Sequence, residues 1–142
     1  MKKKIVLVFG VFDLFHRGHS AFLKQAQRHG NSLFVVIARD KSVLNLKGKK
    51  PDHSESQRAR VIKSVRGVKK VFLGDMQQGR YSVIKKYKPD VICLGYDQNG
   101  LKKDLERRIK NGELLAAKLI TLKPHKPHLY KTSIARKSLR KN

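Results

Sequence analysis

Phe9-Gly10-Val11-Phe12-Asp13-Leu14-Phe15-His16-Arg17-Gly18-His19 lies between two apolar segments of different period. Upstream, Ile5-Val6-Leu7-Val8-Phe9 is a short β-branched run of the kind that forms a buried parallel strand. Downstream, the segment from Gly18 to His29 places Phe22, Leu23 and Ala26 on one helical face, and Gly30 is a suitable stop. The stretch is therefore a strand–turn–helix joint. Gly10 permits a tight turn off the strand. Gly18 lets a phosphate approach the backbone near free amides and the positive end of a helix dipole. His16 and His19 are three apart, so in a first helical turn they face the same side. Two imidazoles so placed can donate hydrogen bonds to one phosphate. The competing readings are two incidental surface histidines or half of a metal site. A metal would need more ligands, and His29, His53, His125 and His128 come with no cysteine pair to supply them.

Further apolar runs follow at Leu33–Ala38, Val71–Leu73, Val91–Leu94 and, more weakly, Lys118–Leu122. Helical patterns lie between them. Ser54 to Val65 opens with the capping-box pair Ser54 and Gln57 and carries Val61, Ile62 and Val65 as an inward stripe. Tyr81 to Tyr87 ends at Lys88-Pro89. Leu101 to Lys110 sets Leu101, Leu105 and Ile109 on one face, and a last helix is expected from about Thr132 to Arg140. Strands and helices alternate throughout. That order predicts an α/β chain, one doubly wound, Rossmann-like domain over residues 1–142 with a five-stranded parallel sheet. Ligands of such sheets sit at the carboxyl ends of the strands, where the strand order reverses. Two basic loops stand out, Leu46-Lys47-Gly48-Lys49-Lys50-Pro51 and Lys123-Pro124-His125-Lys126-Pro127-His128.

Composition limits the function classes. With 142 residues and 39% apolar content, the chain can fold around one core without staples. The single cysteine, Cys93, excludes an internal disulfide and points to a reducing cytoplasm; its apolar setting reads as a small buried hydrophobe. No apolar run approaches the roughly 18 residues of a membrane span. The run after Lys2-Lys3-Lys4 is too short for a signal peptide. The 34 Lys and Arg against 10 Asp and Glu leave a net charge of +24, which favours anionic partners without choosing among them. A primary nucleic-acid role lacks zinc-finger spacing, an aromatic RNA-stacking motif and a recognition helix, whereas a weak, non-specific, salt-sensitive affinity for nucleic acid is compatible with an enzyme.

Gly10-Val11-Phe12-Asp13-Leu14-Phe15-His16-Arg17-Gly18-His19 resembles the G-[TS]-F-D-x-x-H-x-G-H signature of the cytidylyltransferase-like nucleotidyltransferases, with Val11 where Thr or Ser is usual. Ala38-Arg39-Asp40, the Lys-rich loop, Gln57-Arg58-Ala59-Arg60, Val71-Phe72-Leu73-Gly74-Asp75 and Leu94-Gly95-Tyr96-Asp97-Gln98 are similar to the same family. The A-R-D and L-G-Y-D-Q stretches look most like the archaeal-type FAD synthases, and the compact length also fits glycerol-3-phosphate cytidylyltransferases.

The resemblance implies transfer of a nucleoside monophosphate from a nucleoside triphosphate to a phosphorylated acceptor, with release of pyrophosphate. His16, His19 and Lys47 would be catalytic, with Lys49 or Lys50 as substitutes for Lys47. Gly10, Val11, Phe12, Asp13, Gly18, Gly95 and Asp97 would bind the nucleotide. Tyr130-Lys131-Thr132-Ser133-Ile134 resembles the family's second phosphate motif, in which Thr132 and Ser133 cap a helix and meet the β and γ phosphates. Arg58 would bind the acceptor. Mg²⁺ would arrive on the triphosphate with few protein ligands and no dedicated metal site. A homodimer follows by analogy only. ATP with FMN is the favoured substrate pair, and CTP with glycerol 3-phosphate or a similar phospho-alcohol is the alternative.

Overall fold

The β-branched runs pair edge to edge. The computed structural model describes residues 2–124, so the expected helix from Thr132 to Arg140, with Thr132 and Ser133, and the loop histidines His125 and His128 lie outside the described residues. Within them the order is β1 (Ile5–Gly10), α1 (Arg17–Gln27), β2 (Ser32–Ile37), α2 (Asp40–Lys47), α3 (Glu55–Lys63), β3 (Val68–Leu73), α4 (Ser82–Tyr87), β4 (Val91–Leu94), α5 (Asn99–Lys110) and β5 (Lys118–Thr121). Every pairing is parallel, and the sheet order is β3-β2-β1-β4-β5. The chain starts in the middle, winds outward to β3, crosses back over β1 and winds outward again. This is the doubly wound α/β sheet expected from the alternation of periods.

Helices cover both faces. On one face α1 and α3 bury Leu23, Ala26 and Ile62 against Val6, Val8, Val35 and Cys93. On the other, α4 and α5 bury Ile84 and Leu105 against Leu7, Phe34, Ile92 and Leu94. Alternate residues of β1 thus serve opposite layers, which is why its run is continuously apolar. Cys93 is fully buried, and burial pushes its thiol up to about 11, the behaviour of a packing residue. The inward stripe expected on α3 is narrower than its sequence suggests: Ile62 is buried while Val61 is 41% exposed.

One element departs from simple alternation. Residues 40–47, outside every helix expected from the sequence, form α2. Its N-cap Arg39 makes no capping hydrogen bond of its own. Instead Glu55, at the start of α3, accepts from the Asp40 amide at 2.8 Å and from Arg39 Nη1 at 3.2 Å. The helix is started by a tertiary contact and so leaves no local N-terminal signal. Its end is local: Gly48 adopts φ 80°, ψ 2°, a left-handed cap that suits glycine. Lys47 is consequently the last residue of α2 rather than part of a loop.

Candidate active site

β1 and β4 part at their carboxyl ends. Their register stops at Val8 and Cys93, while β1 continues beside β2 to Gly10 and Ile37. The crevice opens here because the next elements leave in opposite directions, α1 to one face and α5 to the other. The Gln98 carboxamide spans the gap. Its Oε1 accepts from the Gly95 amide at 2.7 Å and its Nε2 donates to the Phe9 carbonyl at 3.0 Å. The backbone polar groups that the parting strands would orphan are thereby satisfied. Gln98 was not among the expected site residues, although it stands in the quoted L-G-Y-D-Q stretch. It is also the N-cap residue of α5, where it makes no side-chain cap bond. Asp97 beside it is exposed at the mouth of the crevice.

The turn after β1 is tightly made. Phe12 and Leu14 have φ of 52° and 48°, left-handed values that cost a non-glycine residue about 1–2 kcal/mol. Phe12 is 6% exposed, and its ring lies over Gly10, where an added Cβ would stand 2.5 Å from a ring carbon. Gly10 is required less for its own backbone than for the ring that covers it. Phe12 in turn packs edge-on against His19, with centroids 5.4 Å apart.

His16 and His19 form the N-terminus of α1. His16 is the N-cap, in extended conformation, and its Nδ1 accepts from the Gly18 amide at 3.0 Å. His19 at N3 reaches back, and its Nδ1 accepts from the His16 amide at 3.2 Å. This is a capping box built from two imidazoles in place of Ser and Glu. Its chemical consequence is a fixed tautomer. A neutral imidazole that accepts at Nδ1 carries its proton at Nε2, so both rings have Nε2–H as a donor. The rings stack at 3.9 Å and 24°. Burial and the neighbouring His16, opposed by Asp13, lower the His19 pKa to about 4. His19 is therefore a neutral donor at physiological pH. The Gly18 amide, expected to meet phosphate, is engaged by His16 here. Gly18 instead makes room for that ring: a Cβ on it would lie 2.8 Å from His16 Cε1.

Asp13 and Arg58 hold the other side of the turn. The Asp13 carboxylate accepts from the Asp52 amide at 2.7 Å and the His53 amide at 3.0 Å. Burial works to raise its pKa, but these two bonds and the nearby Arg58 and His53 outweigh it and keep the carboxyl below its ordinary range. The segment after Lys47 is thus anchored at its far end to the signature turn. Arg58 is 1% exposed. Its guanidinium donates to Asp40 at 2.6 Å, to the Val11 and Ala38 carbonyls at 2.9 Å each, and to the His53 carbonyl at 3.0 Å. The direct acceptor contact expected of Arg58 gives way to a clamp, because nearly all its donors are spent on protein. It joins Val11, at the end of β1, to the starts of α2 and α3, and so positions the turn that carries the histidines.

Of the expected site residues, the fold brings together Gly10, Val11, Phe12, Asp13, His16, Gly18, His19 and Arg58 through these contacts, and Gly95 and Asp97 across the crevice. Lys47 is exposed at the end of α2, ahead of the segment that Asp13 anchors. Asp40 and His53, like Gln98, joined the site only through long-range bonds.

Residues 7–138 match the family model described as Cytidylyltransferase-like. The chain belongs to the cytidylyltransferase-like family. Among similar proteins, the FAD synthase of Thermococcus sibiricus is 38% identical, with 96% of this chain and 90% of that one covered. The FAD synthase of Pyrococcus horikoshii is 40% identical, with 96% and 89% covered. The lipopolysaccharide core biosynthesis protein of Thermoplasma volcanium superposes with a TM-score of 0.79 at 31% identity, over 87% of this chain and 99% of that one. As a cytidylyltransferase-like protein of this kind, the chain is a nucleotidyltransferase.

Proposed function

We propose that this nucleotidyltransferase is an FAD synthase that transfers AMP from ATP to the phosphate of FMN. The observation that carries the reading is identity with FAD synthases at 34–42%, extending for the first of them over 96% of this chain. The local geometry supports it. At the carboxyl ends of β1, β2 and β3, on the face covered by α4, a cleft is lined by Phe9, Gly10, Val36, Tyr81 and Val83, together with Arg39 and Arg80. Apolar and aromatic walls suit a flat heteroaromatic acceptor better than a small polyol phosphate.

A phosphate oxygen of FMN attacks the α-phosphorus of ATP in line, and pyrophosphate leaves. The attacking oxygen is already ionised, so no general base is required, and catalysis rests on positioning and charge neutralisation. The Nε2–H donors of His16 and His19 stabilise the α-phosphoryl oxygens. Lys47, or Lys49 or Lys50 in its place, and Thr132 and Ser133 hold the leaving pyrophosphate. Asp97 accepts from a ribose hydroxyl or the base amine. Arg58 acts through the turn it clamps. Among the described residues no three His, Cys, Asp or Glu side chains converge as a metal site. Mg²⁺ would arrive on the triphosphate and neutralise phosphate charge. The working unit is proposed to be a homodimer. No helix among the described residues is long and apolar enough to cross a membrane.

Pyrophosphate release tests the reading, with ATP and CTP each paired with FMN and with glycerol 3-phosphate. Release with ATP and FMN, with FAD as product, is the expected result. Release with CTP and glycerol 3-phosphate instead would replace it with cytidylyl transfer.

A further inference from the structure

A mononucleotide enzyme needs only a few cations in its pocket, which leaves most of the net charge of +24 unexplained. The fold sorts that charge by end. Asp13, Asp40, Asp52, Glu55, Asp75 and Asp97 follow or approach strand carboxyl ends and surround the crevice. Asp104 and Glu106 lie along α5. At the opposite end, where strands begin, only Asp90 and Glu113 remain. Each is already engaged, Asp90 by the Ile5 amide at 2.8 Å and Glu113 by Arg108.

The cations at that end are exposed. Lys2, Lys3 and Lys4 lead into β1, Arg28 follows α1, Lys63 ends α3 and Arg66 stands between α3 and β3. Lys88 precedes β4 and Lys118 opens β5. A parallel sheet with returning helices turns all these connections the same way, so residues far apart in sequence share one end. Cations in the last turn of a helix offset its dipole, which accounts for Lys63 and for the basic ends of α1 and α5. Lys88 is the C-cap of α4, whereas Lys2 to Lys4, Arg66 and Lys118 lie outside helices and have no such compensation. Between Lys88 and Lys118 lies a hollow of about 270 Å³ floored by Ile84, Ala116 and Ala117, remote from the histidine pair.

We infer that the amino end of the sheet is a binding face for a single-stranded polynucleotide. Its phosphodiester backbone lies along the lysines and arginines, and an unstacked base enters the hollow. Charge without ordered base-edge donors gives affinity with little sequence preference. The hollow between the cations, lined by Leu115, Ala116 and Ala117, admits an extruded base. The inference is independent of which acceptor the enzyme uses.

Fluorescence anisotropy of a labelled oligouridylate, titrated with the full chain over a series of KCl concentrations, tests it. The triple variant Lys3→Glu, Arg66→Glu, Lys88→Glu should bind at least about tenfold more weakly near 0.1 M salt, and its log–log salt slope should be shallower by about 2, at roughly 0.7 per lost phosphate contact. The charge-matched variant Lys41→Glu, Lys102→Glu, Lys103→Glu should lose less than about threefold, since its sites lie on α2 and the first half of α5, off that end. Unchanged pyrophosphate release by the first variant shows it folded. Comparable binding of oligothymidylate supports the inference for DNA as well as RNA. Equal losses in the two variants, no binding by the parent chain, or tighter binding to phosphatidylglycerol vesicles than to the oligonucleotide would each overturn it.

Discussion

Each histidine of the site has two tasks on two nitrogens. Nδ1 closes the capping box and Nε2 presents the donor, so the tasks can be separated. In His19→Asn the side-chain oxygen falls where Nδ1 was, keeping the cap while removing the donor. Turnover should drop about 10²–10³-fold, and stability by less than about 0.5 kcal/mol, because the cap is retained. His19→Ala should lose comparable turnover and about 1 kcal/mol more stability. Steady-state kinetics beside urea unfolding of both variants checks the split; equal destabilisation by the two would refute it. Acid should act on the same nitrogen. Folding lowers the His19 pKa from 6.5 to about 4, so on acidification the unfolded chain takes up the proton first. The His19 contribution to stability is constant above pH about 6.5 and declines between that value and about 4. Nitrogen-15 NMR should show His19 as the neutral Nε2–H tautomer at pH 6.

At the scale of elements, the signature turn depends on its neighbours. Arg58 ties β1 to α2 and α3 from a fully buried position. Arg58→Met removes the donors but leaves three carbonyls and the Asp40 carboxylate without them. Such a loss should cost about 3–5 kcal/mol, less to the extent that Asp40, 34% exposed, recovers water. It should also lower kcat, because Val11 is released. A denaturant midpoint close to that of the parent chain would show that the clamp is unimportant. Gly10→Ala probes the covered glycine. Its new methyl meets the Phe12 ring at 2.5 Å, so Phe12 must shift, and with it the His19 ring it touches. Turnover should fall by at least about tenfold with KM for FMN little changed, since a donor misplaced by a fraction of an ångström weakens the transition state first.

The whole molecule folds against its own charge. With a net charge of +24, self-repulsion destabilises the compact state, and salt screens it over a Debye length of about 10 Å at 0.1 M. Thermal melting should therefore rise by several degrees between about 0.01 M and about 0.15 M ionic strength, at roughly 2–8 °C per kcal/mol gained. A melting temperature that falls with salt would mean that local ion pairs such as Arg58–Asp40 outweigh the net field. Such charge is tolerable because the core does not depend on it: β1, β2 and β4 are buried on both faces by apolar residues from two helical layers.

Local chemistry made much of this legible before folding. The β-branched runs at Ile5, Leu33 and Val91, the capping box at Ser54 and Gln57, and the glycines and histidines of the first turn act over a few residues, so composition and period suffice to read them. The doubly wound parallel class follows almost as directly, from the alternating periods, whereas the strand order is fixed by the tertiary structure. The rest depends on contacts between distant residues. α2 starts on Glu55, fifteen residues past Asp40. Asp13 finds its amides at Asp52 and His53, separations of 39 and 40, and Gln98 reaches Phe9 across 89. Arg58 could be read as a pocket cation because its type and spacing permit one. Only the packed structure turns it inward, where a buried guanidinium must find partners for its donors. Sequence determined which segments fold and which turn carries the chemistry; tertiary structure decided which polar groups spend their hydrogen bonds on protein, because that choice is made among groups the chain brings together only when it closes.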